Sequence, residues 1–276
     1  LEIIMKHIAR KRFGQNFLTD QFVLEDIINA IAPQADETMV EIGPGLGAMT
    51  RLLSQQLKQL HVIELDRDLV ARLQRGFDPA KLVIHAGDAL QFDFAKIAVK
   101  PGQKLRVVGN LPYNISSPLL FHLAEFAPLI HDQHFMLQKE VVERMVATPG
   151  SKAYGRLSVM LQWRYRMALM FIVPPTAFDP PPRVESAIVR MVPIAQPLAC
   201  EANMLAAVVM KAFSQRRKVI RNCLAGMFSE EEIVAAGVDP TLRPESIALE
   251  QYVALANRLQ QTNPTLAAIP GLLMAQ

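Results

Sequence analysis

From Thr38 to Val108, short apolar runs alternate with amphipathic stretches. Met39–Ile42, Leu60–Leu65, Leu82–His85 and Leu105–Val108 are strand-sized, rich in valine and isoleucine, and bounded by Gly, Asp or Asn. Ala48–Leu57 and Asp68–Arg75 lie between them with helical spacing. Runs this apolar cannot leave one side to water, so the pattern predicts a parallel sheet covered by helices on both faces. His134–Leu137 and Met170–Val173 predict further strands. Ala187–Val192 follows a proline-rich turn and can pair antiparallel with a neighbour. Past Pro193–Pro197 the strand signals stop, and helical spacing runs through Asn203–Met227, Glu230–Ala236 and Glu250–Leu259. We therefore expect an α/β domain over residues 1–193, led by an arm over 1–18, and a small all-α domain over 197–276. The segment from Pro264 to Gln276, with Pro264, Pro270 and Gly271, is expected to trail off.

Composition narrows the classes. Of 276 residues, 51% are hydrophobic and 20% charged, which excludes a disordered chain. Twenty-nine Lys+Arg against 26 Asp+Glu leave a net charge of +3, so any nucleic-acid partner must be read from local distribution. Cys200 and Cys223 stand without a CxxC or a flanking histidine, which disfavours a disulfide framework or a zinc site; no metal is expected. No apolar run approaches the roughly 18 residues that span a bilayer. Asp20, Glu25 and Asp26 fall soon after the N-terminal basic residues, where a secretory signal would carry an uncharged apolar core. The expectation is a cytoplasmic protein with no membrane partner.

The first chemical motif is Glu41-Ile42-Gly43-Pro44-Gly45-Leu46-Gly47, after a strand and before a helix. Glycines such as Gly43 and Gly45 let backbone turn tightly and approach a ligand closely. The spacing is G-x-G-x-G, with Ala48 where a dinucleotide fingerprint has its third glycine, and no Lys-Ser/Thr comes after it. The loop therefore suits a ligand without a pyrophosphate. Glu64 ends the second strand, where a carboxylate can accept from both hydroxyls of a ribose. Asp66 competes in sequence, but strand alternation favours Glu64. Asp88, in Gly87-Asp88-Ala89-Leu90, ends the third strand and can accept from an adenine amino group. Each acid alone is an ordinary loop carboxylate; at successive strand ends they favour a nucleoside cofactor.

The fourth strand ends in Asn110-Leu111-Pro112-Tyr113. The Asn110 oxygen can accept from an exocyclic amine, the Leu111 carbonyl next to rigid Pro112 can accept from the same nitrogen, and the Tyr113 ring can stack on a base withdrawn from its helix.

With these motifs the chain resembles the S-adenosylmethionine-dependent rRNA adenine N6-dimethyltransferases. The resemblance extends upstream to Arg10-Lys11-Arg12-Phe13-Gly14-Gln15-Asn16-Phe17-Leu18. Downstream it covers Leu137–Val141, Tyr154–Ser158, Phe178–Ser186 and Ala212–Lys218, in order and over nearly the whole chain. Ser214 departs from the asparagine common in the family. The resemblance implies a Rossmann-like methyltransferase sheet with an antiparallel last strand, and S-adenosyl-L-methionine as cofactor. It implies that Asn16 and Leu18 contact the cofactor with Gly43, Glu64, Asp88 and Asn110, and that Phe178 clamps the target adenine opposite Tyr113. The flanking segments resemble the bacterial small-subunit branch. That implies N6,N6-dimethylation of two adjacent adenosines in a 3′-terminal hairpin of 16S rRNA within the small ribosomal subunit, and a role in ribosome biogenesis. The alternatives are a large-subunit rRNA adenine methyltransferase of the antibiotic-resistance type, whose tetrapeptide usually carries Ile at the place of Leu111, and a non-catalytic assembly or transcription factor on the same fold.

Two local clusters resolve the ambiguous charge. The arm carries Lys6, Arg10, Lys11 and Arg12 against Glu2, and residues 211–221 carry Lys211, Arg216, Arg217, Lys218 and Arg221 with no acid. On a continuous helix, Lys211, Gln215, Lys218 and Asn222 share a face with Arg221 beside it. Arg216 falls among the apolar positions and is expected to be buried and paired. Arg10, Lys11, Arg12, Lys211, Arg217, Lys218 and Arg221 are the expected RNA contacts, on a chain expected to act as a monomer.

Overall fold

The computed structural model describes residues 16–97, 99–215 and 217–263. The expectations for Arg10, Lys11, Arg12, Arg216 and the segment 264–276 lie outside these residues.

A seven-stranded sheet organises the fold. Its strands are β2 (Met39–Ile42), β3 (Leu60–Glu64), β4 (Leu82–Ala86), β5 (Leu105–Asn110), β6 (Ile130–Gln138), β7 (Tyr165–Val173) and β9 (Ser186–Pro193). They lie in the order β4-β3-β2-β5-β6-β9-β7. β2 pairs in parallel with β3 and β5, β3 with β4, and β5 with β6, whereas β9 runs antiparallel to β6. All four residues of β2 are buried, as expected of a central parallel strand that never meets water. β1 (Phe17–Leu18) and β8 (Phe178–Asp179) form a separate two-stranded antiparallel pair.

Three helices hold the sheet end that matters for function. α1 (Gln21–Ile31) starts at Asp20, whose carboxylate accepts from the Phe22 and Val23 N–H groups at 2.9 and 3.2 Å. It buries Leu24, Ile27, Ile28 and Ile31, the i, i+3, i+4, i+7 stripe of an amphipathic helix. α2 (Ala48–Gln56) begins where the glycine loop ends, and α3 (Arg67–Gly76) is capped by Asp66, which accepts from the Asp68 N–H at 3.0 Å. Leu24, Ile27, Met49, Leu53, Val62 and Met136 belong to one buried cluster that also takes in Leu18 and Phe178.

The chain divides into two compact units. Among the described residues, the first gathers those through Leu119 with Leu129–Lys139 and Leu169–Met191, and the second Leu120–Pro128, Glu140–Ala168 and those from Val192 to Asn263. The expected division at 193/197 meets this partition near its last boundary, but the partition is not contiguous along the chain. The reason is packing within the second unit, where α6 (Arg156–Arg164) lies against α7 (Ala202–Phe213) and α10 (Leu249–Thr262). Tyr154 meets Phe213 edge to face, and Phe213 meets Tyr252 at a tilt, with centroids 6.5 and 5.9 Å apart, and the Trp163 indole N–H donates to the Leu198 carbonyl at 2.8 Å. α5 (Lys139–Met145), α8 (Ile220–Cys223) and α9 (Glu230–Ala235) complete this helical part, and α4 (Ser116–Glu125) follows β5.

One helix departs from expectation. Asn203–Met227 is not continuous: α7 ends at Phe213 and helix resumes only over the four residues of α8. Ser214 comes directly after α7, and its backbone N–H and its hydroxyl both donate to the Lys211 carbonyl, at 3.3 and 2.7 Å, where the helix stops. The single basic face drawn through Lys211, Gln215, Lys218 and Asn222 therefore does not exist as a helix face. Lys211, Arg217, Lys218 and Arg221 are nonetheless all exposed.

Candidate active site

A pocket of about 1030 Å³, mouth included, opens at the carboxyl ends of β2, β3 and β5, where ligands bind in open α/β sheets. Its first wall is the glycine loop. Gly45 holds φ at +58°, a left-handed conformation that L side chains rarely adopt, and a Cβ there would come within 3.2 Å of the Phe17 ring. Side chains on Gly43 and Gly45 would fill the cradle that the loop forms. The adjoining strand is equally constrained: a Cβ on Gly109 would meet the Ile42 carbonyl oxygen at 2.6 Å, so β5 can approach β2 at this point only without a side chain.

Glu64 forms the second wall. Its carboxylate accepts from the Gly45 N–H at 3.2 Å and the Asp66 N–H at 2.9 Å, and burial raises its pKa against these two donors. Asp66, its competitor in sequence, is occupied in capping α3. The Gly87 N–H donates to the Glu64 carbonyl at 2.9 Å, which sets the turn carrying Asp88 beside the end of β3. The Asp88 carboxylate accepts from the Leu90 N–H at 2.9 Å and is not among the residues that line the pocket.

The reactive tetrapeptide forms the third wall. Asn110, Leu111, Pro112 and Tyr113 all line the pocket. The Leu111 N–H donates to the Met136 carbonyl at 3.2 Å, tying the end of β5 to β6. The Asn110 amide nitrogen donates to the Asn16 carbonyl at 3.2 Å. A carbonyl can only accept, so the atom facing Asn16 must be the NH₂ group, and Oδ1 is left as the acceptor of this side chain. The Tyr113 hydroxyl lies 2.7 Å from the Ser186 hydroxyl, and burial raises the phenol pKa, keeping the ring neutral.

Asn16, Phe17 and Leu18 close the pocket from a distant part of the sequence. Phe17 pairs with Asp179 and Leu18 with Phe178 across the β1–β8 ladder. Phe178 itself is 5% exposed, sits in the core cluster with Leu18, and is not a lining residue. The structure thus brings together Asn16, Leu18, Gly43, Gly45, Glu64, Asn110, Leu111 and Tyr113, and places Asp88 and Phe178 behind or beside them.

Two further residues line the pocket that sequence reasoning does not select. Glu41 is 1% exposed, and burial, with the neighbouring Glu64 charge, pushes its pKa up to about 8, so it is uncharged at neutral pH. An acid in the otherwise apolar run Met39-Val40-Glu41-Ile42 is the available signal. His134 is 3% exposed, and burial holds its pKa down to about 4, so it too is uncharged. It lies within a run whose pattern shows only a strand. Among the described residues no cluster of three or more His, Cys, Asp or Glu could hold a metal ion, and no helix is long and apolar enough to cross a membrane.

The pocket residues fit a nucleoside carrying a small charged arm. A carboxylate with buried surroundings suits vicinal hydroxyls, the glycine cradle admits a ligand body against backbone, and Leu46, Met49, Leu69 and Ile188 add apolar surface for a flat ring.

Comparison with known proteins agrees with this chemistry. The family model described as Ribosomal RNA adenine dimethylase matches residues 6–261. A protein of Janthinobacterium sp. (strain Marseille) named Ribosomal RNA small subunit methyltransferase A is 75% identical over 255 residues, covering 92% of this chain and all of that protein. One of the same name from Thiobacillus denitrificans is 58% identical over 251 residues, covering 90% of this chain and 97% of its own length. The crystal structure of a dimethyladenosine transferase from Plasmodium falciparum superposes with a TM-score of 0.72 at 23% identity, covering 89% of this chain and 98% of that one. That of the 23S rRNA methyltransferase ErmE gives 0.64 at 26% identity, covering 89% and 100%.

Proposed function

This chain belongs to the ribosomal RNA adenine dimethylase family, and from that premise we propose how its pocket works and on what. It is an S-adenosylmethionine-dependent methyltransferase that dimethylates adenine in rRNA. We propose the small ribosomal subunit as its substrate particle and two adjacent adenosines of 16S rRNA as its targets, with a part in ribosome biogenesis. The 75% identity to a protein named for the small subunit, against 26% to one named for 23S rRNA, favours this over the large subunit. We further propose that it acts as a single chain in the cytoplasm, and that the helical residues 197–276 contribute RNA contacts.

When bound, S-adenosylmethionine supplies an electrophilic methyl group on a sulfonium. Gly43 and Gly45 would hold it by backbone, Glu64 would accept from its ribose hydroxyls, and Asn16 and Leu18 would close over it. Asp88 would accept from its adenine amine after releasing or sharing the Leu90 N–H. On the substrate side, Asn110 Oδ1 and the Leu111 carbonyl would accept both N–H bonds of adenine N6. That lone pair is ordinarily delocalised into the ring. Two acceptors aligned outside the ring plane favour a pyramidal amine with its lone pair free to attack. Tyr113 would stack on the everted base, with Phe178 on its far side once the base is in place. A nitrogen that has gained a methyl group is acidic and sheds its proton to water, so the chain needs no strong base.

The observation that carries this reading is the Asn16–Asn110 hydrogen bond, which leaves an amide oxygen as acceptor within a pocket that also holds Glu64 and Tyr113. The test uses unmodified small and large ribosomal subunits, labelled methyl donor and nucleoside analysis. Wild-type protein is expected to form dimethyladenosine in the small subunit. Asn110→Ala should lower the rate by about 100-fold or more, on the scale of losing one polar group aimed at a reacting atom, while RNA binding persists. Methylation of the large subunit instead, or near-normal rates from Asn110→Ala, would overturn the reading.

A further inference from the structure

We propose that Ser186 is a positioning residue for methyl transfer: it tethers the Tyr113 phenol and so fixes the plane on which the target adenine stacks. The inference rests on the assignment of Tyr113 as the stacking ring.

Stacking requires only a π face, and a phenylalanine would provide one. The hydroxyl of Tyr113 is therefore surplus to stacking, and the structure shows what it does. Its oxygen lies 2.7 Å from Ser186 Oγ, on β9. Ser186 is fully buried, its residue pairing with Gln138 across the β6–β9 ladder. A buried serine hydroxyl is costly unless it is hydrogen-bonded, and Tyr113 supplies that bond.

The other end of Tyr113 is also held. Leu111 N–H bonds to Met136 O at 3.2 Å, Ile115 N–H to Pro112 O at 3.1 Å, and the Ser116 hydroxyl donates to the Tyr113 carbonyl at 3.1 Å. Pro112 fixes its own φ just before the ring. The backbone is thus pinned to β6 while the phenol is pinned to β9. With both ends fixed, the torsions that would swing the ring are removed before substrate arrives. The ring remains half-buried and still lines the pocket, so a face is available to a base.

The consequence concerns the second transfer more than the first. A monomethylated N6 is bulkier and has one N–H left for two acceptors, so less holds the amine in place and more depends on the stacked ring. A ring released from Ser186 should present the monomethyl base less well than the unmodified one.

The experiment compares wild type, Ser186→Ala, Tyr113→Phe and the double variant on unmodified small subunits. It reads single-turnover rates, the ratio of mono- to dimethyladenosine, and cofactor Kd. Each single variant should lose about fivefold in rate, the scale of one neutral hydrogen bond. Each should also accumulate monomethyladenosine, and cofactor Kd should stay unchanged. The double variant should be no worse than Tyr113→Phe, because both remove the same bond. Wild-type rate and product ratio from Ser186→Ala, or additive losses in the double variant, would overturn the tether. If Ser186→Ala fails to fold, Tyr113→Phe decides alone, since it breaks the same bond while keeping the Ser186 side chain in place; a wild-type ratio from it refutes the proposal. Absence of dimethyladenosine from the wild-type reaction would instead defeat the broader reading, and so the two failures are separable.

Discussion

Glu41 shows how one buried acid can register the chemistry of a pocket. Its carboxyl is held protonated to about pH 8 by burial, while in an unfolded chain it would ionise near its ordinary 4.5. A raised folded pKa gives stability that is complete below 4.5 and lost as pH rises toward 8. Glu41→Gln removes the titration, so the ligand-free variant should become progressively more heat-stable than wild type between about pH 5 and 8, the difference levelling above 8. Thermal unfolding across that range measures it, and a constant difference would contradict the assignment. At this scale the sequence is most legible where spacing constrains it. The glycine loop, Glu64 and the Asn110–Tyr113 run announce themselves by residue type at strand ends, and all reach the pocket wall. Glu41 and His134 do not, because a polar residue in an apolar run reveals burial only once its neighbours are placed. Phe178 and Asp88 stand behind the wall for a similar reason: sequence gives adjacency to a motif, not the direction of a side chain.

Among the elements, the junction of α1, β5 and β6 depends on one arginine. Arg106 donates to both oxygens of buried Asp132 at 2.7 and 2.9 Å, to Glu37 at 2.8 Å and to the Ile31 carbonyl at 2.7 Å. It ties the C-terminal end of α1 to the strands that carry Asn110 and Met136. Arg106→Ala would strip the buried Asp132 carboxylate of its two short charged contacts and leave, among the described residues, only Arg190, at 3.7 Å, and breaking such a buried pair costs about 3–5 kcal/mol. Chemical denaturation should show that loss, and a loss under about 1 kcal/mol would mean that water can replace the pair. β2, β3, β4 and β5 are legible from their apolar runs, which suit a covered parallel sheet, whereas the two-residue β1 and β8 give no such signal. α1 escapes such a reading, although Asp20 and the stripe of Leu24, Ile27, Ile28 and Ile31 give it both a cap and a period. The break after α7 has no such signal: neither Gly nor Pro occurs between Phe213 and Val219, and the last turn closes on the Lys211 carbonyl through the N–H and hydroxyl of Ser214.

For the molecule as a whole, a net charge of +3 says little, and the distribution says more. Lys211, Arg217 and Lys218 are exposed, whereas Arg221 is 3.5 Å from Glu230 and partly neutralised. Reversing the first three together to Glu should weaken binding to small subunits steeply. It should also reduce the slope of log affinity against log salt by about 0.7–0.9 for each phosphate no longer neutralised. Filter binding at several salt concentrations tests this, and an unchanged slope would remove this cluster from the interface. The division into units is legible only near its last boundary, because composition follows the chain whereas packing gathers Leu120–Pro128 and Glu140–Ala168 with residues far downstream.

The carbonyl that orients Asn110 belongs to Asn16, 94 positions earlier in the chain. The orientation of this amide is therefore a long-range property: β5 alone does not set it, and the contact with Asn16 must be made as well.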